Sequence, residues 1–261
     1  MASFKRIRNV IFLGKKPWAS KALEFLVQNG IHVRLVVAPK HESYKITLQK
    51  TAQKYKIPVL FGDENLYQHI ASHDFHSNID LVISFLFWQK IKMPLIRLGK
   101  LGCVNFHPAP LPDYKGRAGY NTAILEQKKE YGVSAHYVDS EKFDAGPIIK
   151  VSRFPIDAER ENAHSLEQKT QEKLYDLFVE TMLLLEKNTV TTTPNSGGLY
   201  LNLEQLEKLK EVDLKKDTPE EINRKIRAFF FPPYSGAKIS VKDQEFTLVN
   251  AEILKYISER L

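Results

Sequence analysis

The 261-residue chain is 43% apolar, enough to bury a substantial core in one large domain with or without a small appendage. Its net charge of +7 suits an anionic partner, but acidic and basic residues interleave through 161–173 and 204–216, so neither stretch reads as the basic stripe of a nucleic-acid binder. No apolar run approaches the ~20 residues that cross a bilayer, and the single Cys103 excludes an internal disulfide, which points to a soluble, cytoplasmic, reducing setting with no membrane partner.

The basic cluster at 5–8 precedes an apolar run too short for a secretory core, and residues 10–13 read as a first core strand. Ala22, Leu23, Phe25, Leu26 and Val27 then cluster on a helical period that ends at Gly30. Residues 33–38, 59–61, 81–85 and 104–106 are short β-rich runs separated by helical patterns, as in buried parallel strands with crossover helices. Two more strands are expected over 132–138 and 147–154, followed by a long helix over 163–185 that carries Leu166, Leu174, Leu177, Phe178 and Leu184. The Thr, Pro, Asn and Gly stretch ending at 198 reads as a linker, after which two short helices and a strand pair near 237–241 and 245–249 are expected. The expected organisation is α/β: a Rossmann-like, open, mostly parallel sheet over 1–187, a linker at 188–198 and a small α+β appendage over 199–261. Sheets of this kind bind ligands beyond the carboxyl ends of their strands.

The first strand leads into Gly14-Lys15-Lys16-Pro17-Trp18, which matches neither GxGxxG nor GxxxxGK[ST], so the usual dinucleotide and P-loop cradles are excluded. The fifth strand ends in Asn105-Phe106-His107-Pro108, and residues two apart on a strand point to one side, so Asn105 and His107 can face one cleft. Taken alone, this segment suits a turn-capping Asn and a structural His equally well. His69, His73 and His76 stand at helical spacing, but no Cys or carboxylate completes a ligand set and no metal is expected there. Cys103 falls in an expected buried strand, where a free thiol packs as a small hydrophobe rather than acting as a nucleophile.

The Asn105-x-His107-Pro108 strand end is followed by Leu111-Pro112-Asp113-Tyr114-Lys115-Gly116, by Gly132-Val133-Ser134-Ala135-His136, and by Asp144-Ala145-Gly146-Pro147-Ile148-Ile149. Together and in this order, these four motifs resemble the folate-dependent formyltransferases, with a looser resemblance from residue 8 to about 185. The resemblance implies a catalytic trio of Asn105, His107 and Asp144, N10-formyltetrahydrofolate as co-substrate, and no metal. It also implies a pterin pocket formed by Phe85, Leu86, Phe87, Trp88 and Ile91 and closed by Asp139 and Asp144; the alternative is that Phe85, Phe87 and Trp88 simply pack the core. The residue types suit attack of an amine on a formyl carbon, since Asn and His can donate to the oxygen that becomes negative and His can take a proton. Asp144 can orient His107, stabilise its charged form or hold a proton-carrying water, and the sequence does not choose among these.

Within this family the glycinamide ribonucleotide enzymes are shorter and carry a Gly and Ser rich loop where this chain has Lys15-Lys16-Pro17-Trp18. Initiator-tRNA enzymes carry a larger C-terminal barrel and continue the Leu-Pro loop as Arg-Gly-Ala-Ala-Pro, where this chain reads Lys115-Gly116-Arg117-Ala118-Gly119-Tyr120-Asn121. The best match is to the nucleotide-sugar N-formyltransferases, through residues 107–112 and through 227–237. That likeness implies an amino-sugar nucleotide acceptor of the dideoxy-amino-hexose type, used in cell-surface polysaccharide synthesis such as that of lipopolysaccharide O-antigen. The implied acceptor residues are Lys15, Trp18, Pro110, Lys115, Tyr120, Asn121, Phe231 and Tyr234, with Lys15, Lys115 or Arg117 meeting a pyrophosphate and Phe231 and Tyr234 stacking on a base. The 227–237 segment also suits a rigid turn that packs the appendage onto the main domain. A methionyl-tRNA-type enzyme and a folate-binding or deformylating relative stay open as alternatives, as does a homodimer.

Overall fold

The computed structural model describes residues 4–62, 66–72, 78–117 and 119–259, apart from the side chain of residue 69. In chain order the first half comprises β1 (Asn9–Gly14), α1 (Lys16–Gln28), β2 (His32–Ala38), α2 (Leu48–Lys54), β3 (Val59–Phe61), α3 (Leu66–Ser72), β4 (Leu81–Phe85), α4 (Met93–Ile96) and β5 (Cys103–His107). There follow β6 (Tyr114–Gly116), α5 (Gly119–Leu125), β7 (Glu130–Tyr137), β8 (Ile148–Pro155), α6 (Ala163–Lys187) and β9 (Leu199–Leu201). The chain ends with α7 (Leu203–Leu209), α8 (Pro219–Phe229), β10 (Lys238–Val241), β11 (Gln244–Thr247) and α9 (Ala251–Ser258).

The main sheet runs β3-β2-β1-β4-β5-β7-β8. Its first five strands are parallel, and β7 and β8 join antiparallel at one side. Strand order reverses direction between β1 and β4, so the chain diverges there at the carboxyl ends and leaves a crevice. Both faces are covered, which is why the parallel strands read as continuous apolar runs. One face packs under α1 and α6 around Phe12, Phe85, Phe106 and Phe178, and the other under α3 and α4 around Ile11, Leu13 and Leu95. Phe178 is fully buried and meets the rings of Phe25, Phe85 and Phe106, so truncating it to Ala costs about 3–5 kcal/mol.

Helix α6 starts at a reciprocal cap, in which Asn162 accepts from Ser165 N and the Ser165 hydroxyl accepts in turn from Asn162 N, and it ends on Asn188 in the left-handed region at φ 57°. The appendage has its own small core of Val212, Ile226, Phe230, Ala237 and Ile253. It docks through main-chain acceptors: Asn121 Nδ2 donates to Ala228 O at 2.7 Å, His164 N to Phe230 O at 3.1 Å, and Arg227 to Glu161 O at 3.0 Å and to Ala158 O. Arg227 is thus a structural clasp rather than part of an acceptor pocket.

The expected linker is more than a connector. Thr193 forms a bridge with Ile148, Asn195 bonds to the loop between β7 and β8, and residues 199–201 pair with β6. Strand β6, three residues long, carries no periodic signal and relies on its pairing with β9, whereas helix α9 was not among the expected elements although Ile253, Tyr256 and Ile257 give it an apolar face on the appendage core. Among the described residues no helix is long and apolar enough to cross a membrane.

Candidate active site

A cleft of about 790 Å³ opens at the carboxyl ends of β1, β4 and β5, on the crevice that the strand order creates. Its floor is a row of side chains across adjacent strands. Ser84 on β4 stands beside Asn105 on β5, which stands beside His136 on β7, and the pairings put the three in one line. The Ser84 hydroxyl donates to Asn105 Oδ1 at 2.7 Å, and Asn105 Nδ2 donates to His136 Nε2 at 3.0 Å. His136 can accept there because its Nδ1–H is used on Tyr137 O at 2.8 Å.

Asp144 lies in the β7–β8 loop, and its carboxylate is only 9% exposed. Its Oδ1 stands 3.3 Å from His107 Nδ1, 3.4 Å from Asn105 Nδ2 and 3.5 Å from His136 Nε2, while Oδ2 accepts from Gly116 N at 2.9 Å. The backbone at Asp144 is left-handed, with φ 48°, a conformation that Asp tolerates better than most residues. Gly146 permits the tight return that follows, because a Cβ there would lie 1.9 Å from Tyr137 O. Asn105, His107 and Asp144 therefore meet at one point.

The electrostatics give the two titrating groups different tasks. Burial drives His107 below its ordinary pKa, an effect that His136 reinforces and that the Asp144 carboxylate opposes. Burial alone would raise the Asp144 carboxyl, but His107, His136 and the Gly116 N–H outweigh it and hold the group well below the usual carboxylate range. Near neutrality the pair is a neutral imidazole beside a carboxylate. The Tyr114 carbonyl, 2.9 Å from His107 Nε2, can only accept, so Nε2 carries the hydrogen and Nδ1 is the basic atom. A proton gained at Nδ1 arrives directly opposite Asp144 Oδ1. The Asn105 amide has one firm donation and one long one, and the long one can be released to a ligand oxygen.

Part of the cleft lining is apolar. Leu86, at φ 57°, turns the chain out of β4, and Leu86, Phe87, Trp88 and Ile91 line the cleft together with Val138. Trp88 rests on Gly62, where a Cβ would lie 2.7 Å from the indole, and Gln89 Nε2 fixes the same turn through Gly62 O at 2.5 Å. The lining also carries Lys15, Arg117, Tyr120, Asn121, Phe231 and Tyr234. Burial, with help from the Lys16 and Arg117 charges, pushes the Lys15 ammonium down to about 8. Phe231 and Tyr234 stack at 5.9 Å, and Tyr234 is 68% exposed toward the open side.

Several expected site residues lie elsewhere. Phe85 is fully buried against Phe106 and Phe178, because strand alternation that points Ser84 into the cleft points Phe85 away from it. Asp139 is exposed and packs beside Gly146 outside the cleft lining. Trp18 packs at a tilt against Tyr175, with Lys21 over its ring, between α1 and α6. Pro110 is buried and accepts from Tyr114 N, so it shapes the loop from beneath. Lys115 reaches Asn195 O at 3.4 Å instead of the cleft. His73, His76 and the side chain of His69 fall outside the described residues.

Several contributors were assigned no role from the sequence, although His136 stands in one of its motifs. Ser84 and His136 hold Asn105, and strand alternation with the correct register would have found both. Asn195 holds the Asp144 loop from a stretch without periodicity. Residues 200–203, with Leu206 and Lys210, also line the cleft, and no motif marks them.

Residues 8–182 match the Formyl transferase family. The methionyl-tRNA formyltransferase of Halalkalibacterium halodurans is 28% identical over 226 residues, which span 84% of this chain and 70% of that protein. The solved N-formyltransferase from Helicobacter canadensis, in complex with folinic acid and dTDP-3-aminofucose, superposes with a TM-score of 0.72 at 23% identity, covering 90% of this chain and 85% of that one. A 4-N formyltransferase from Francisella tularensis gives a TM-score of 0.75 at 21% identity over 94% of this chain and 98% of its own. With two thirds of its length matched and the fold shared, this chain belongs to the formyl transferase family.

Proposed function

We propose that this chain moves a formyl group from N10-formyltetrahydrofolate to the amine of a nucleotide-linked amino sugar. The observation that carries the reading is the convergence of Asn105, His107 and Asp144 on one point in a cleft whose lining combines apolar residues with aromatic and cationic ones. The apolar lining of Leu86, Phe87, Trp88 and Ile91 fits a planar heterocycle such as a pterin. Lys15 and Arg117 fit a diphosphate, and the stacked Phe231 and Tyr234 offer ring surface to a base. The ligands of the Helicobacter canadensis enzyme are of these two kinds. In this reading residues 1–187 hold the chemistry and 199–261 help to shape the acceptor side.

When bound, N10-formyltetrahydrofolate supplies the formyl carbon and takes a proton at N10 as the old C–N bond breaks. Asn105 Nδ2 donates to the carbonyl oxygen as the amine nitrogen bonds to that carbon and the oxygen gains charge. His107 Nδ1 takes the proton that the nitrogen must lose, and Asp144 stabilises the imidazolium until the proton is passed to N10. The products are the N-formyl sugar nucleotide and tetrahydrofolate. Each such donor or base is worth ~10² to 10⁴ in rate.

Methionyl-tRNA as acceptor is the second reading, because the curated relatives carry that name. Both are tested by incubating the protein and the formyl donor with thymidine-, uridine- and guanosine-diphosphate amino sugars and, separately, with methionyl-tRNA. A formyl mass gain on a sugar nucleotide is expected. Gain on tRNA alone overturns the acceptor, and donor hydrolysis without any acceptor overturns transfer.

A further inference from the structure

The family match ends at residue 182, yet the loop that carries Asp144 is held from beyond that point. Asn195 Nδ2 donates to the main-chain oxygens of both Asp144 and Gly146, each at 2.9 Å. The amide orientation is fixed by its neighbours, since two carbonyl acceptors facing one amide end require nitrogen there. Among the described residues its Oδ1 has no partner, so the hydrogen bonding seen for this side chain consists of those two donations.

The surrounding segment is itself anchored on both sides. Thr193 exchanges hydrogen bonds with Ile148 at the start of β8, Lys115 Nζ reaches Asn195 O, and Leu199 N donates to Asp113 O at 2.8 Å. Strand β9 then pairs with β6, whose Gly116 N holds Asp144 Oδ2. The main chain of Asp144 and its carboxylate are thus restrained through the same stretch of chain. A left-handed Asp needs such restraint, because the conformation is not one that it adopts by preference.

We infer that Asn195 is a positioning residue for Asp144: its two donations lock the 144–146 turn and so set the distance from the carboxylate to His107 and Asn105. The inference rests on the reading of Asp144 as part of the reacting group. It assigns a role in the chemistry to a residue outside the matched family region, in a stretch whose composition reads only as a connector.

The test is Asn195→Ala, with Asn195→Leu as a near-isosteric, uncharged variant that removes both donors, and Asp144→Asn as the reference. Three readouts apply: kcat and KM for the formyl transfer, thermal unfolding, and the NMR titration of His107. Loosening Asp144 removes the influence that raises the His107 pKa, so that titration moves to lower pH in both Asn195 variants. Turnover is expected to fall ~10- to 10²-fold, the effect of displacing a reacting group by about 1 Å, with much smaller changes in either KM. Asp144→Asn with full turnover overturns the catalytic reading itself, whereas the His107 titration still reports on positioning. An unchanged titration in the Asn195 variants, a loss confined to KM, or unfolding of both variants overturns the positioning role.

Discussion

Replacing Gly146 with Ala probes the tightest point of the site. The added methyl would sit 1.9 Å from Tyr137 O, 2.8 Å from Tyr137 C and 3.2 Å from Asp139 Oδ1, and ordinary contact begins at 3.4 Å. Two of these neighbours are backbone of β7, which cannot yield without breaking the sheet, so the 144–146 turn must retreat by about 1.5 Å. Such a retreat carries the Asp144 carboxylate, now 3.3 Å from His107 Nδ1, out of reach of that ring and of Asn105. A misplacement of that size costs ~10²-fold in turnover. The expected result is a drop in kcat of that order with a smaller change in either KM, measured by steady-state formyl transfer with each substrate varied in turn. Turnover within threefold of the parent in a variant that folds normally would refute the claim that this turn sets the geometry.

The pH profile follows from the same pair. With neutral His107 as the proposed base, turnover is lost as pH falls through its pKa in the fold, which burial places below the ordinary 6.5; the acid limb of kcat is therefore expected below pH 6.5. In Asp144→Asn the limb moves lower still while the plateau drops, and a limb that stays above pH 6.5 or moves upward would contradict the assignment. Lys15 gives a second, separate limb, because its charge is lost as pH rises through about 8. The KM of the acceptor is expected to climb above that pH while that of the folate stays flat, and Lys15→Ala removes the dependence by making the acceptor KM high throughout. An acceptor KM that is flat through pH 9 in the parent would take Lys15 out of the proposed phosphate site.

The sheet was readable because its buried strands are β-rich apolar runs and α6 carries a clean helical period, and both signals come directly from burial. Asn105 and His107 were readable because alternation on one strand puts them on one side. The same rule, applied one residue further along β4, separates Ser84, which reaches the cleft, from Phe85, which cannot. Lys115 and Trp18 were misplaced because a charge or a ring in a loop says nothing of its direction until its partners are known. Here those partners are Asn195 O for the lysine and Tyr175 for the indole. Asn195 and β9 were invisible for a related reason. Their order comes from pairing with residues some 50 to 85 positions earlier, and no local pattern records such contacts.

The parallel pairing of Tyr114–Gly116 with Leu199–Leu201 also bears on how chains of this family can be recombined. The composition invites a splice between 188 and 198, where a foreign appendage could be grafted to change the acceptor. A junction there would cut between α6 and the residues that seat the Gly116 loop, and the graft would have to rebuild an inner edge of the reaction chamber as well as its rim. A junction after Leu201 keeps the seat of the Gly116 loop and hands the incoming module the lining that includes Phe231 and Tyr234, so the useful unit of exchange begins one strand later than the linker suggests.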